Sequence, residues 1–156
     1  MILPQSRAVS PRVTLVARLL LLSTAVLVAV IVFTPGPPDE AGQRALAAWL
    51  EHMHQGWLPG WVSFGLIEFL SNVIMFFPLG LLGAMSLTGR RWIAVPVCAA
   101  VSCTIELVQW IGLPARDGSW LDVVANLTGG LLGYLTAVAV LHRRPSTQIA
   151  LPGDAP

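Results

Sequence analysis

The sequence contains the run LDVVANLTGGLLGYLTAVAVL at residues 121–141, which carries one charged side chain, Asp122, near its start. A helix needs about 20 mostly apolar residues to cross the hydrocarbon core of a bilayer, and this run is long enough. Gly129 and Gly133 have the spacing of small residues that lets two helix backbones approach closely. The run therefore predicts a membrane-spanning helix that packs tightly against a neighbour.

Three further apolar runs precede it, at residues 13–33, 66–87 and 92–111. The composition agrees with a membrane protein, because 55% of the 156 residues are hydrophobic and only 11% are charged, against roughly 25% in soluble domains. The formal net charge of +1 provides no basic surface for nucleic acid. We therefore predict an all-α integral membrane protein with four transmembrane helices and no nucleic-acid partner.

The arginines indicate the orientation of these helices. They cluster before the first run, at Arg90–Arg91 between the second and third runs, and at Arg143–Arg144 after the fourth. Cytoplasmic loops of membrane proteins carry the excess of basic residues. We therefore expect cytoplasmic tails at residues 1–12 and 142–156 and an outer loop at residues 34–65.

The first run, residues 13–33, has the basic start and apolar core that a signal peptide also has. Cleavage would require a small-x-small site, and the TPGPP that follows at residues 34–38 does not supply one. We therefore expect an uncleaved helix, with a cleaved signal peptide as the alternative.

The predicted outer loop contains apolar residues at helical spacing, namely Leu46, Trp49, Leu50, Met53 and Trp57. Indole rings favour the boundary between membrane and water. The pattern predicts a short amphipathic helix that lies in the outer interface. An irregular loop rich in tryptophan is the alternative.

Six polar residues interrupt the last three runs near their predicted outer ends: Glu68, Asn72, Glu106, Gln109, Asp122 and Asn126. At about 1.5 Å of rise per residue, all six lie within roughly 10 Å of the outer interface. In each run the two polar residues are three or four positions apart and share a helix face. An unsatisfied polar group in hydrocarbon is costly, so we expect these faces to meet in one polar cluster.

Arg116 lies in the loop before the fourth run and is the cation nearest this cluster, so it joins the six as a candidate ligand-binding residue. Two members also have simpler structural roles: Arg116 as an interfacial ion-pair partner, and Asp122 as the partner of Ser119 in a capping box. Glu106 lies about one and a half turns inside its run. A carboxylate at that depth needs a partner or a proton, which favours a functional role.

Two motifs carry a resemblance to a known family. The first is Asn72-Val73-x-x-Phe76-x-Pro78-Leu79-Gly80. The second is Glu106-x-x-Gln109, then Arg116, then Asp122-Val123-Val124-x-Asn126-x-x-Gly129-Gly130-x-x-Gly133. They resemble the signature of VanZ-like membrane proteins over residues 66–141, whereas the N-terminal third hardly resembles it. The resemblance implies a small bacterial protein that crosses the plasma membrane several times, in a family named for a member that confers low-level teicoplanin resistance.

Three functions of different classes are compatible with these residues. The leading hypothesis is a binding module whose cluster recognises a polar headgroup at the outer leaflet, such as that of a lipid-linked wall precursor or a lipoglycopeptide. The second is an intramembrane enzyme in which Glu106 and Asp122 act as acid and base on a lipid-linked substrate. The third is a scaffold in which the polar groups only lock the helices together.

The sequence predicts no catalytic residue by motif, no cofactor and no metal. The spacing of Glu106, Asp122 and Asn126 matches no strong template for metal ligands. The lipid bilayer is the one partner that the composition itself implies, and the oligomeric state stays open.

Overall fold

The structure is a computed structural model that describes residues 10–33, 40–112 and 119–142. The described residues form five α-helices: α1 (Pro11–Phe33), α2 (Glu40–His54), α3 (Phe64–Ser86), α4 (Ala94–Gly112) and α5 (Trp120–His142). A 3₁₀ turn at Arg91–Ile93 leads into α4. The predicted all-α fold is confirmed, because four of these segments are long and apolar enough to cross a membrane.

The ends of α3 follow from local hydrogen bonds. Ser63 has an extended backbone, and its hydroxyl oxygen accepts a hydrogen bond from the N–H of Leu66 at 3.2 Å, which caps the first turn. The helix therefore begins at Phe64, before the predicted start at residue 66. At the other end, Gly89 has a φ of +90°, a conformation that glycine adopts without steric cost, and the chain turns there toward α4.

The closest packing in the fold is between α3 and α5. A side chain at Gly129 would overlap the backbone carbonyl of Val73, and one at Gly133 would overlap that of Phe77. The contact advances by one helical turn in the same direction on both helices, so α3 and α5 are parallel. The predicted close approach at these glycines is therefore present, and the neighbour is α3.

The helix α4 runs antiparallel to α5. A Cβ atom at Gly130 would lie 2.9 Å from the Cβ atom of Cys98, while Ser102, one turn later in α4, contacts Asn126, one turn earlier in α5. This register places the last turns of α4 beside the first turns of α5. All polar ends of α3, α4 and α5 therefore lie at the same end of the bundle.

The remaining two helices complete the fold. From α1, Val28 and Val32 pack into the apolar core with Phe76 of α3. The short helix α2 lies within the predicted outer loop; its Leu50 is buried, while Trp49 is exposed. The position of α2 at the membrane interface, like the cytoplasmic location of both termini, stays a prediction.

Candidate functional site

Six of the seven candidate residues line one cavity of about 260 Å³: Glu68, Asn72, Glu106, Gln109, Asp122 and Asn126. The lining is completed by Ser71 and Met75 of α3, Ile105 of α4, and Ile31 and Val32 of α1. We call this space the polar cavity. The seventh candidate, Arg116, lies outside the described residues.

The helical arrangement explains why these side chains meet. Glu68 and Asn72 are one turn apart on α3, and Asp122 and Asn126 are one turn apart on α5. Because α3 and α5 are parallel, their polar N-terminal halves lie side by side. The antiparallel α4 contributes Glu106 from its final turns. Each pair was recognisable on its own helix, and the packing of the helices makes them neighbours.

Asn126 is the most deeply buried polar residue of the cavity, with 2% of its surface exposed. Its Nδ2 donates a hydrogen bond to the hydroxyl oxygen of Ser102 at 3.0 Å, and Ser102 is itself fully buried. The amide oxygen Oδ1 of Asn126 is buried and accepts no hydrogen bond within the described structure. A buried acceptor without a donor costs about 1–3 kcal/mol of stability. A ligand that donated a hydrogen bond to this oxygen would offset that cost.

Glu106 connects α4 to the beginning of α5. Its Oε2 accepts a hydrogen bond from the backbone N–H of Ser119 at 2.9 Å. The N-terminus of a helix carries a partial positive charge and has backbone donors that favour a carboxylate. Glu106 therefore lines the cavity and stabilises the start of α5 at the same time.

The hydrogen bonds of Ser119 differ from those of the predicted capping box between Ser119 and Asp122. The hydroxyl oxygen of Ser119 accepts from the N–H of Leu121 at 3.3 Å, and the N–H of Ser119 donates to Glu106. The carboxylate of another helix has taken the donor that a capping box assigns to Asp122. Asp122 instead lines the polar cavity, half-buried, in the first turn of α5.

The other candidates differ in burial. Gln109 is buried, Asn72 is half-buried, and Glu68 is exposed at the cavity's α3 side. Glu68 lies in the second turn of α3, near the helix end where a membrane protein meets headgroups and water. The exposure of the lining side chains therefore decreases from the carboxylate of Glu68 to the amide of Gln109.

Two serines of the site were not among the candidates. Ser102 lies one turn before Glu106 on the same face of α4, and that spacing was the available signal. Ser71 lines the cavity, but its hydroxyl donates to the carbonyl of Ile67 at 2.8 Å. The hydroxyl of a serine commonly bonds to its own helix in this way within a membrane span, so nothing in the sequence singled out Ser71.

The chemistry of the lining favours binding a group that donates hydrogen bonds. Ionised carboxylates act as acceptors, and amide side chains act as both acceptors and donors. The described residues contain no group of three His, Cys, Asp or Glu side chains that could hold a metal ion. Below the polar cavity, Phe76, Leu79 and Cys98 pack into the apolar core, so the cavity has an apolar floor.

The fold and this cavity define a small multi-pass helical membrane protein with a polar site between three of its spans. The chain belongs to the VanZ/LLP1 family, whose model matches residues 19–142. The match extends beyond the motifs at residues 66–141 to include most of α1, which packs against α3 and supplies Ile31 and Val32 to the cavity. No curated protein and no solved structure matches the chain significantly.

Proposed function

We propose that this protein binds the polar headgroup of a lipid or lipid-linked molecule at the outer leaflet of the bacterial plasma membrane. The observation that carries the proposal is the polar cavity, in which the Oδ1 of Asn126 is buried without a donor. Polar groups inside a membrane bundle are expensive and are retained where they bind or transport something. A headgroup with hydrogen-bond donors would satisfy this oxygen.

The arginine distribution supports the outer leaflet. The polar cavity lies where α3 and α5 begin, whereas Arg90 and Arg91 follow the opposite end of α3. By the positive-inside rule the arginine end faces the cytoplasm. The cavity then opens toward the outer surface, where lipid-linked wall precursors and lipoglycopeptides present their headgroups.

The test compares teicoplanin and vancomycin susceptibility of a sensitive bacterial host that expresses the wild-type protein or Glu106→Gln at matched membrane levels. Glutamine keeps an oxygen that can accept from the N–H of Ser119, so the start of α5 is retained while the charge is removed. We expect the wild type to protect against teicoplanin and Glu106→Gln to protect less.

The matched control is Glu51→Gln, because Glu51 is an exposed carboxylate of α2 outside the polar cavity. We expect this variant to protect like the wild type. Equal protection by Glu106→Gln and the wild type would contradict a role for the cavity in this phenotype.

A further inference from the structure

A second concave surface lies against the polar cavity, on the outside of α4 and α5. This α4–α5 groove has a volume of about 330 Å³, and its lining includes Cys103, Glu106, Leu107, Trp110, Trp120 and Val123. Most of these side chains are apolar. The indole rings of Trp110 and Trp120 are each 73% exposed on the surface of membrane-spanning helices, which is the surface that lipid covers.

Glu106 lines both the polar cavity and the α4–α5 groove. Its carboxylate is held in place by the N–H of Ser119. The two spaces therefore meet at this side chain, one polar and the other apolar. An amphiphile placed across Glu106 would have its headgroup on one side and its chain on the other.

The floor of the polar cavity toward α1 is apolar packing, although the lining residues Ile31, Glu68 and Ser71 above it are exposed. Val32 of α1 is 6% exposed and packs in the core with Phe76 and Met75. An alkyl chain that left the cavity between Val32 and Phe76 would have to displace core residues. On the α4–α5 side, by contrast, the groove is already open to the bilayer.

We propose that the ligand of the polar cavity is a membrane lipid whose headgroup donates hydrogen bonds to Asn126 and whose acyl chain lies in the α4–α5 groove. This inference rests on the proposed function and specifies its ligand class and its route of entry. The headgroup chemistry follows from the Oδ1 of Asn126, a buried acceptor that requires a donor. The lipid nature follows from the apolar groove that lies on the other side of Glu106 from the polar cavity.

The experiment uses two phospholipids with the same diazirine-bearing acyl chain in vesicles that contain the full-length protein. Phosphatidylethanolamine has an ammonium headgroup with N–H donors, whereas phosphatidylcholine is equally zwitterionic but has none. Irradiation followed by mass spectrometry identifies the labelled residues. We expect phosphatidylethanolamine to label Leu107 and Val123 about fivefold more than phosphatidylcholine, the ratio that one net hydrogen bond gives.

Two pairs of variants separate the groove from the cavity. Leu107→Trp fills the groove and should reduce the labelling of Val123, while Leu135→Trp, on exposed α5 surface outside the groove, should not. Asn126→Leu should abolish the headgroup preference. Thr128→Val should retain it, because the hydroxyl of Thr128 bonds to its own helix at Val124 and does not line the cavity.

The outcomes distinguish the two proposals. A headgroup preference that depends on Asn126, with labels on α1 and α3 in place of α4 and α5, would overturn the inference about the groove and leave the proposed function standing. Equal labelling by both lipids overturns the inference as well. If, in addition, the Asn126→Leu protein protects the host against teicoplanin as well as the wild type does, the proposed function is contradicted too.

Discussion

Asn126 and Ser102 form a buried polar contact that bears on whether the cavity binds a ligand or the polar groups only lock the helices together. If the pair served only to hold α4 against α5, every polar atom of the pair would be expected to have a partner, since half-satisfied buried networks are destabilising. The Oδ1 of Asn126 lacks a donor in the described structure. We infer that the unpartnered oxygen lowers the stability of the bundle, as the proposed binding role of Asn126 would predict.

This relation predicts the effect of removing both polar groups together. Replacing Asn126→Leu and Ser102→Ala in one protein leaves no buried donor or acceptor at the contact, and such double replacements are close to neutral or stabilising. We expect the double variant to unfold in detergent micelles at a denaturant concentration equal to or above that of the wild type. A loss of about 2 kcal/mol or more, the size of a broken buried network, would instead favour the scaffold hypothesis.

The crossing of α3 and α5 depends on glycines, because backbone atoms of one helix occupy the space where a Cβ atom of the other would lie. This holds at Gly129 and Gly133 of α5 and at Gly80 of α3, where a Cβ atom would overlap the carbonyl of Gly130. Close backbone contact gives the packing that replaces the hydrophobic effect between helices in lipid. It also fixes the register that brings the polar N-terminal halves of the two helices together.

Alanine at these glycines should therefore destabilise the protein. Overpacking of this kind costs about 1–3 kcal/mol, and backbone atoms cannot move aside as a flexible side chain can. We expect Gly129→Ala and Gly133→Ala each to lower the unfolding midpoint in micelles and to disturb the polar cavity.

Gly65 provides the matched control within α3. A Cβ atom there meets nothing within 4 Å, and alanine is the better helix former by about 1 kcal/mol. Gly65→Ala should be neutral or slightly stabilising. A Gly129→Ala protein as stable as Gly65→Ala would show that the α3–α5 contact is looser than described.

The interior of the bundle is polar at one end and apolar at the other. Ala84, Ala94 and Ala137 pack together at the end away from the polar cavity. Small side chains allow the helices to converge there, so the described structure has a closed apolar end and a cavity at the opposite end. This asymmetry agrees better with a binding site at one leaflet than with a pore.

The orientation of the bundle can be measured by cysteine labelling in intact cells. With Cys98 and Cys103 replaced by alanine, Gln55→Cys reports on the loop after α2 and Thr88→Cys on the turn after α3, both at exposed positions. A membrane-impermeant maleimide should label the first variant and not the second. The reverse pattern would place the polar cavity at the inner leaflet and contradict the proposed function.

Much of this protein can be predicted from its sequence because membrane helices have to satisfy simple conditions. Length and hydropathy identified the four spans, and helical spacing identified the polar faces, from Glu68 and Asn72 through to Asp122 and Asn126. Both patterns arise because the bilayer core contains no water. Spanning segments are therefore almost entirely apolar, and a polar residue within one is easily recognised in the sequence.

The tertiary structure alone decided which polar groups become partners. Helical periodicity specifies the helix face on which a residue lies. It does not specify which neighbouring helix that face contacts, or at what height along the helix axis. The close contact at Gly129 and the antiparallel placement of α4 set these heights. They joined Asn126 to Ser102, brought the N–H of Ser119 to Glu106, and placed Glu106 between the polar cavity and the α4–α5 groove.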